Sequence, residues 1–234
     1  MGILAKPLGF LLSWLYELIG SYGIALIIVT VIVKLCLYPV YAKSIKSTMK
    51  MTEVQPKIQE IQQKYAKDRE LMNEKMTELY KEEGVSMYGG CLPMVVQMIV
   101  IMGLFALLRN PMAYIDSDSM LFAIHEPFLW IQDLAQPDKW ILPIMAAVAT
   151  FIATLMSQNA TTGANAEQTK IMNSIMKYFF PIMILWMARS YPAGLAIYWF
   201  GSQLIQIFYN MRFAKMRKES AEKRAKASKK KARA

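Results

Sequence analysis

The chain has 234 residues, of which 55% are hydrophobic, with 19 Met, 12% aromatics and a formal net charge of +10. Its mean hydropathy is positive, too apolar for an ordinary soluble domain and suited to a polytopic membrane protein with polar connections. Cys36 and Cys91 sit in or at the edge of apolar runs with no His or second Cys at ligand spacing, which argues against a disulfide framework or a metal site.

Residues 1–20 carry Lys6, the apolar run Leu8–Leu12 and the small pair Gly20-Ser21, but no Ala-x-Ala-like cleavage site. Trp14, Tyr16 and Glu17 suit an amphipathic helix lying at the membrane interface instead. A first membrane span is expected over 21–42. Lys34 stands in the middle of it, near the midplane, where a lysine costs about 2.5–3.5 kcal/mol. That cost implies a partner, a water-filled cavity or a function.

Residues 43–90 read as a helical hairpin. Met51–Tyr65 and Glu70–Lys81 have mixed-sign faces, with pairs such as Glu53/Lys57 and Glu60/Lys64 at helical spacing. Val54, Ile58, Ile61 and Tyr65 form an apolar stripe, with Leu71, Met72, Met76, Leu79 and Tyr80 as its partner and Ala66-Lys67-Asp68 as the turn. Gly89-Gly90-Cys91-Leu92-Pro93 makes a tight lead-in to a second span over 91–108. A loop follows over 109–139. The third span, 140–157, opens with Trp140 and Pro143. Residues 158–171, rich in Asn, Thr, Gly and Ala, read as a linker. The fourth span, 172–188, contains Pro181 and is expected to kink there. Arg189-Ser190-Tyr191-Pro192 turns the chain into a fifth span, 192–211, antiparallel to the fourth. A basic tail, 212–234, ends the chain.

Lys and Arg crowd segment 43–90 and the tail, whereas 110–138 has neither and carries Asp116, Asp118, Glu126, Asp133 and Asp138. The positive-inside rule places the hairpin and tail in the cytoplasm and the loop outside, with the N-terminus out and the C-terminus in.

None of the five spans holds an Asp or Glu, so Lys34 must be satisfied by neutral groups. The candidates are Gln97, Thr150, Thr154, Ser174, Ser202, Gln203 and Gln206, which accept from an ammonium without neutralising it. A positively charged, wet cavity is the expected result; a lysine snorkelling to an interface is the bland alternative. The tail residues Lys215, Arg217, Lys218, Lys223, Arg224, Lys229, Lys230 and Lys231 admit three readings: a topology anchor, attraction to anionic lipids, or a ribosome or RNA surface. No aromatics interleave there, so base stacking and sequence-specific nucleic-acid binding are not supported. Catalysis finds little support either. His125 is the only histidine, and no nucleophile–base spacing, phosphate-cradling loop or intramembrane Asp pair is present. No cofactor or metal is expected.

Several stretches together match a known family: Ile32-Val33-Lys34-Leu35-Cys36-Leu37-Tyr38-Pro39, Gln55-Pro56-Lys57-Ile58-Gln59 with Tyr65, and Leu79–Val85 followed by Gly89–Pro93 and Gln97. Trp130–Leu134, Ile141–Ile144 and Pro192–Trp199 extend the match over nearly the whole chain. In these stretches the chain resembles the YidC/Oxa/Alb group of membrane protein insertases. The resemblance implies an all-α membrane protein with five transmembrane helices around a hydrophilic groove. That groove is open to the cytoplasm and to lipid, closed outside, and holds a basic residue of the first span. It also implies a bacterial plasma-membrane protein whose partners are nascent membrane proteins, membrane lipids, the ribosome through the tail and, as an open question, the Sec translocon. Lys34 stands where the family usually has Arg, so the positive field is kept and the bidentate fork is lost. Met87-Tyr88 stands where Asn-Pro is common. With no large outer domain, the chain looks like the short, Gram-positive type.

The expected mechanism draws a substrate's acidic or polar flank into the groove towards Lys34. The substrate's apolar span then passes into lipid between the third and fifth spans, past Met145, Met156, Trp199 and Phe200. The rivals are a small-anion transporter using Lys34 as its binding charge and a chaperone that binds nascent chains without translocating them.

Overall fold

The structure, a computed structural model, describes residues 2–85, 92–110, 113–114, 118–158 and 174–231. The Gly89-Gly90-Cys91 lead-in, most of the 158–171 linker, and Arg233 lie outside them. The described chain is helical: α1 (Gly2–Ile19), α2 (Tyr22–Lys64), α3 (Arg69–Glu82), α4 (Leu92–Arg109), the short α5 (Asp118–Ala123), α6 (Ile141–Gln158), a π-helical turn Ile175–Phe179 running into α7 (Phe180–Ser190), and α8 (Ala193–Lys231).

α1 ends at Gly20, which adopts φ +70°, a left-handed turn that costs a residue without Cβ little. α2 then begins at an extended Ser21 whose side chain makes no cap. The Tyr22 N–H is taken instead by Glu126 Oε2 at 3.0 Å, and Glu126 Oε1 accepts from the Tyr16 hydroxyl. One carboxylate from the 110–139 loop thus ties the end of α1 to the start of α2.

α2 is continuous for 43 residues, through both Pro39 and Pro56, about 65 Å. The sequence reading divides this stretch into a span ending at 42 and a separate helix from Met51. The structure joins them. Each proline removes one N–H without ending the helix, and the intervening Ala, Lys, Met and Glu are strong helix formers. α3 folds back after a turn, with the Asp68 carboxylate accepting from the Leu71 N–H at 3.1 Å as its N-cap. The hairpin core is Val54, Ile58, Leu79 and Val85, with Met51, Ile61, Met76 and Tyr80 around it; Tyr65, Leu71 and Met72 lie outside that cluster.

Pro181 has no N–H for the carbonyl of Lys177. The chain absorbs this with the π turn just before it, in which the Phe180 N–H reaches Ile175 O, and α7 starts with the proline in its first turn. α8 runs without interruption from the stretch expected as a fifth span into the basic tail, which the sequence reading separates at 212.

α6 packs along α8 and α7, α2 along α8, and α1 along α4 and α2. The main core joins Leu12 of α1, Tyr22, Leu26 and Val29 of α2, Leu104 and Leu107 of α4, and Ala193 and Tyr198 of α8, near the end that bears the 110–139 loop. That loop is stitched down further. Leu134 O and Gln136 O accept from the Gly194 and Ala193 N–H groups at the start of α8. Asp138 Oδ2 accepts from the Leu142 N–H at the start of α6. The Phe128 ring packs against Gly23, where a Cβ would come within 2.3 Å of it.

The outside of the bundle is apolar. Ile24, Ile27, Val31 and Leu35 of α2, Val95, Met98, Ile99 and Met102 of α4, Trp186 of α7 and Phe208 of α8 are all exposed. A soluble monomer rarely presents so wide an apolar surface. Tyr22–Met51 is long and apolar enough to cross a bilayer, and Val95–Arg109 and Ile141–Ser157 are shorter apolar helices.

Candidate functional site

Below the apolar core, towards the hairpin end, α2, α4 and α8 enclose a polar cluster built on Lys34. The residue is only 2% exposed. Its ammonium donates to Gln97 Oε1 at 3.0 Å and to the Tyr41 hydroxyl at 3.3 Å, and lies 5.0 Å from the centre of the Tyr41 ring. Tyr41 in turn donates to the same Gln97 oxygen at 3.0 Å, while Gln97 Nε2 donates to the Tyr198 hydroxyl at 3.0 Å. Tyr209 donates its hydroxyl proton to the backbone oxygen of Lys34 at 3.2 Å. The charge therefore meets two oxygens and an aromatic face, with no carboxylate among the described residues. Such an arrangement leaves a full positive charge available to an incoming anion.

The sequence reading expects a wet cavity around an unpaired cation. In this conformation the ammonium is instead enclosed and bonded. The floor beneath it is aromatic: Tyr41, Tyr209 and Phe213 are buried together, with Tyr38 edge-on to Tyr209 at 5.3 Å between ring centres.

Of the expected neighbours, Gln97 alone bonds Lys34. Thr150 and Trp199 form a second cluster on the α6–α8 seam. The Trp199 indole N–H donates to Thr150 Oγ1 at 2.9 Å, and Thr150 donates onward to Ala146 O. Thr154 donates to Thr150 O, and buried Ser202 donates to Trp199 O, so both hydroxyls are spent on their own helices. Gln206 donates to Asn210 Oδ1, and Asn210 donates across the seam to Ala153 O at 3.0 Å. Gln203 is half-buried and Ser174 exposed. An exit between α6 and α8 would have to part both ties. Lys215 is exposed near the end of the packed part of α8; Arg217, Lys218, Lys223, Arg224, Lys229, Lys230 and Lys231 lie along the same helix beyond it.

Sequence reasoning missed Tyr41, Tyr198, Tyr209 and Asn210. A signal existed for two pairs: Tyr41 follows Lys34 by seven residues, two turns along one face, and Tyr198 and Tyr209 share a face of α8 eleven residues apart.

The profile of a family described as "60Kd inner membrane protein" matches residues 14–221. The chain belongs to that family. It is 36% identical over 206 residues to the membrane protein insertase YidC of Fusobacterium nucleatum, covering 88% of this chain and 92% of the relative. The YidC of Caldanaerobacter subterraneus is 34% identical over 208 residues, with the same two coverages. The YidC of Nitratidesulfovibrio vulgaris is 37% identical over 211 residues, but this chain spans 37% of its length. A crystal structure described as an active YidC insertase with its first transmembrane domain resolved superposes with a TM-score of 0.61 at 28% identity, over 88% of this chain and 45% of that one. The family thus carries the all-helical fold and an inner-membrane description, and these relatives are named for insertion rather than for a chemical reaction.

Proposed function

We propose that this protein is a membrane protein insertase that receives weakly hydrophobic nascent chains and delivers them to the bilayer through a groove centred on Lys34. The observation that carries the reading is the Lys34 cluster: a cation kept inside an apolar bundle and bonded only to neutral acceptors. Membership of a family whose compared relatives are named insertases supports it. Five spans, with the hairpin and tail cytoplasmic and the 110–139 loop outside, fit the distribution of Lys and Arg.

The arriving flank carries a carboxylate or polar backbone. An ionised oxygen makes a stronger bond to an ammonium than the Gln97 amide or the Tyr41 hydroxyl does. The flank therefore displaces these two, and the enclosed site opens as it fills. The Tyr16–Glu126–Tyr22 tie and the stitched loop hold the opposite end shut, so polar polypeptide is drawn in from one side. Release of the substrate's apolar span into lipid supplies the drive. The ribosome is met by the hairpin and the basic continuation of α8; the Sec translocon is a further candidate partner. Neither the site nor the relatives favour a small-anion transporter.

The test is purified protein in liposomes with a protease-protection assay on a small single-span substrate. Protection of the translocated flank supports insertion. Capture of the substrate without protection leaves a chaperone, and flux of a small anion without insertion restores the transporter.

A further inference from the structure

Where α4 ends, at the loop end of the bundle, a cavity of about 230 Å³ opens between α4 and the turn from α7 to α8. Phe105, Leu108 and Leu195 give it an apolar floor, and Arg109, Ser190 and Tyr191 give it a polar rim. Arg109 is exposed and, among the described residues, has no carboxylate within 4 Å. Its guanidinium lies 5.6 Å from the centre of the Phe105 ring, and that ring meets Tyr191 edge-on at 5.1 Å. The cation is thus seated against an edge-to-face aromatic pair. The Ser190 hydroxyl already donates to Trp186 O, which leaves the Tyr191 hydroxyl as the second donor on the rim.

Arg109 also closes a stripe. Val95, Met98 and Met102 are exposed apolar residues, and Phe105 and Arg109 continue the same α4 face at helical spacing. From Val95 to Arg109 is about 21 Å of helix, more than half the thickness of a bilayer's hydrocarbon core. Nearby, Arg189 is stacked on Trp140 at 4.0 Å, an aromatic belt residue at the same end. A cation and a hydroxyl above a long apolar track match an amphipath with an anionic head and extended hydrocarbon tails.

We propose that Arg109 and Tyr191 bind the phosphate of an anionic phospholipid of the outer leaflet, with its acyl chains along the Val95–Met98–Met102 stripe. The inference rests on α4 spanning the membrane with Arg109 outside; it does not depend on insertase activity. A guanidinium offers the phosphate a planar two-pronged grip that a zwitterionic head partly neutralises.

The test is native mass spectrometry of the full chain after reconstitution in equal phosphatidylglycerol and phosphatidylcholine. One retained phosphatidylglycerol is expected on the unaltered protein. Arg109→Gln should lower its occupancy about tenfold, Arg109→Lys should restore part of it, and Arg189→Gln should leave it unchanged. Equal retention by Arg109→Gln, equal loss in Arg189→Gln, or no preference between the lipids overturns the proposal. Displacement of the lipid by excess inorganic phosphate also overturns it and marks a free-anion site. Because the readout is a bound mass, it separates from failure of insertion, which the protease-protection assay measures.

Discussion

Gln97 turns its carbonyl oxygen towards Lys34, 3.0 Å from the ammonium, and its amide nitrogen away towards the Tyr198 hydroxyl. The orientation is dictated from both ends. An ammonium has only protons to offer, so the oxygen must face it, and the nitrogen then needs an acceptor, which Tyr198 provides. Three helices are locked together by one amide.

Lys34→Ala is expected to abolish insertion of substrates with acidic flanks, whereas Lys34→Arg retains it, because charge is what the flank recognises. Protease protection of one acidic-flank substrate and one neutral-flank substrate checks this. Indistinguishable activity of the two variants would remove Lys34 from the mechanism.

Gln97→Leu leaves the ammonium with the Tyr41 hydroxyl as its side-chain acceptor and strips Tyr41 of its own. A lost bond to a charged group costs about 1.5–3 kcal/mol. The variant should melt earlier in detergent than Lys34→Ala-Gln97→Leu, in which the buried charge is gone too. The reverse order would mean the amide does not stabilise the ammonium.

Thr150→Val keeps the shape of the side chain but removes the acceptor of the Trp199 indole N–H. The α6–α8 seam should lose about 1–3 kcal/mol, the desolvation cost of an unpaired donor. If substrates leave through this seam, a photo-crosslinker at Thr154 should capture more nascent chain in the Thr150→Val background. Capture unchanged there but present at lipid-facing Phe208 would place the exit elsewhere.

Lys57 is held above the ordinary lysine range chiefly by its hydrogen bond to Glu83, which pins the last turn of α3 to α2. A raised folded-state pKa means the folded hairpin binds its proton more tightly than the unfolded chain. The contribution is therefore complete below the ordinary lysine value of 10.5 and fades as pH rises above it. The pair is exposed, so the effect is small and screened by salt. Amide exchange at 79–85, compared with the unaltered protein at one neutral pH, should quicken in Glu83→Gln, and an unchanged rate would remove the pair from hairpin closure.

Truncation of the tail should weaken ribosome co-sedimentation in a salt-dependent way. The cut belongs after Lys215 rather than after Arg212, because Phe213 is buried against Tyr38 and Tyr209 and its loss would unpack the floor of the site. Unchanged co-sedimentation would leave the tail as a topology anchor.

Much of this was legible in the sequence because bilayer constraints are blunt. Long apolar runs, a lysine near the middle of the first of them and lopsided basic segments are visible without a fold. The partners of Lys34 were less so. Gln97 stood out as a polar residue in an apolar run, but Tyr41, Tyr198 and Tyr209 were not singled out, since which hydroxyl reaches a lysine is set by helix packing rather than by spacing along the chain. Thr150 and Trp199 were singled out for the groove, yet packing gave them to each other. The helices run on past the expected span ends at 42 and 212 for a related reason: a change from apolar to charged residues marks a change of solvent, and backbone hydrogen bonding continues across it.

The unbroken run of α2 has a mechanical meaning. Lys34 and the hairpin tip at Lys64 are separated by thirty residues of one rod, about 45 Å, in which Pro39 and Pro56 each lack the N–H of a ladder bond. One continuous helix therefore carries both the hairpin tip and the charge, so a displacement of the tip has a direct covalent and hydrogen-bonded path to Lys34.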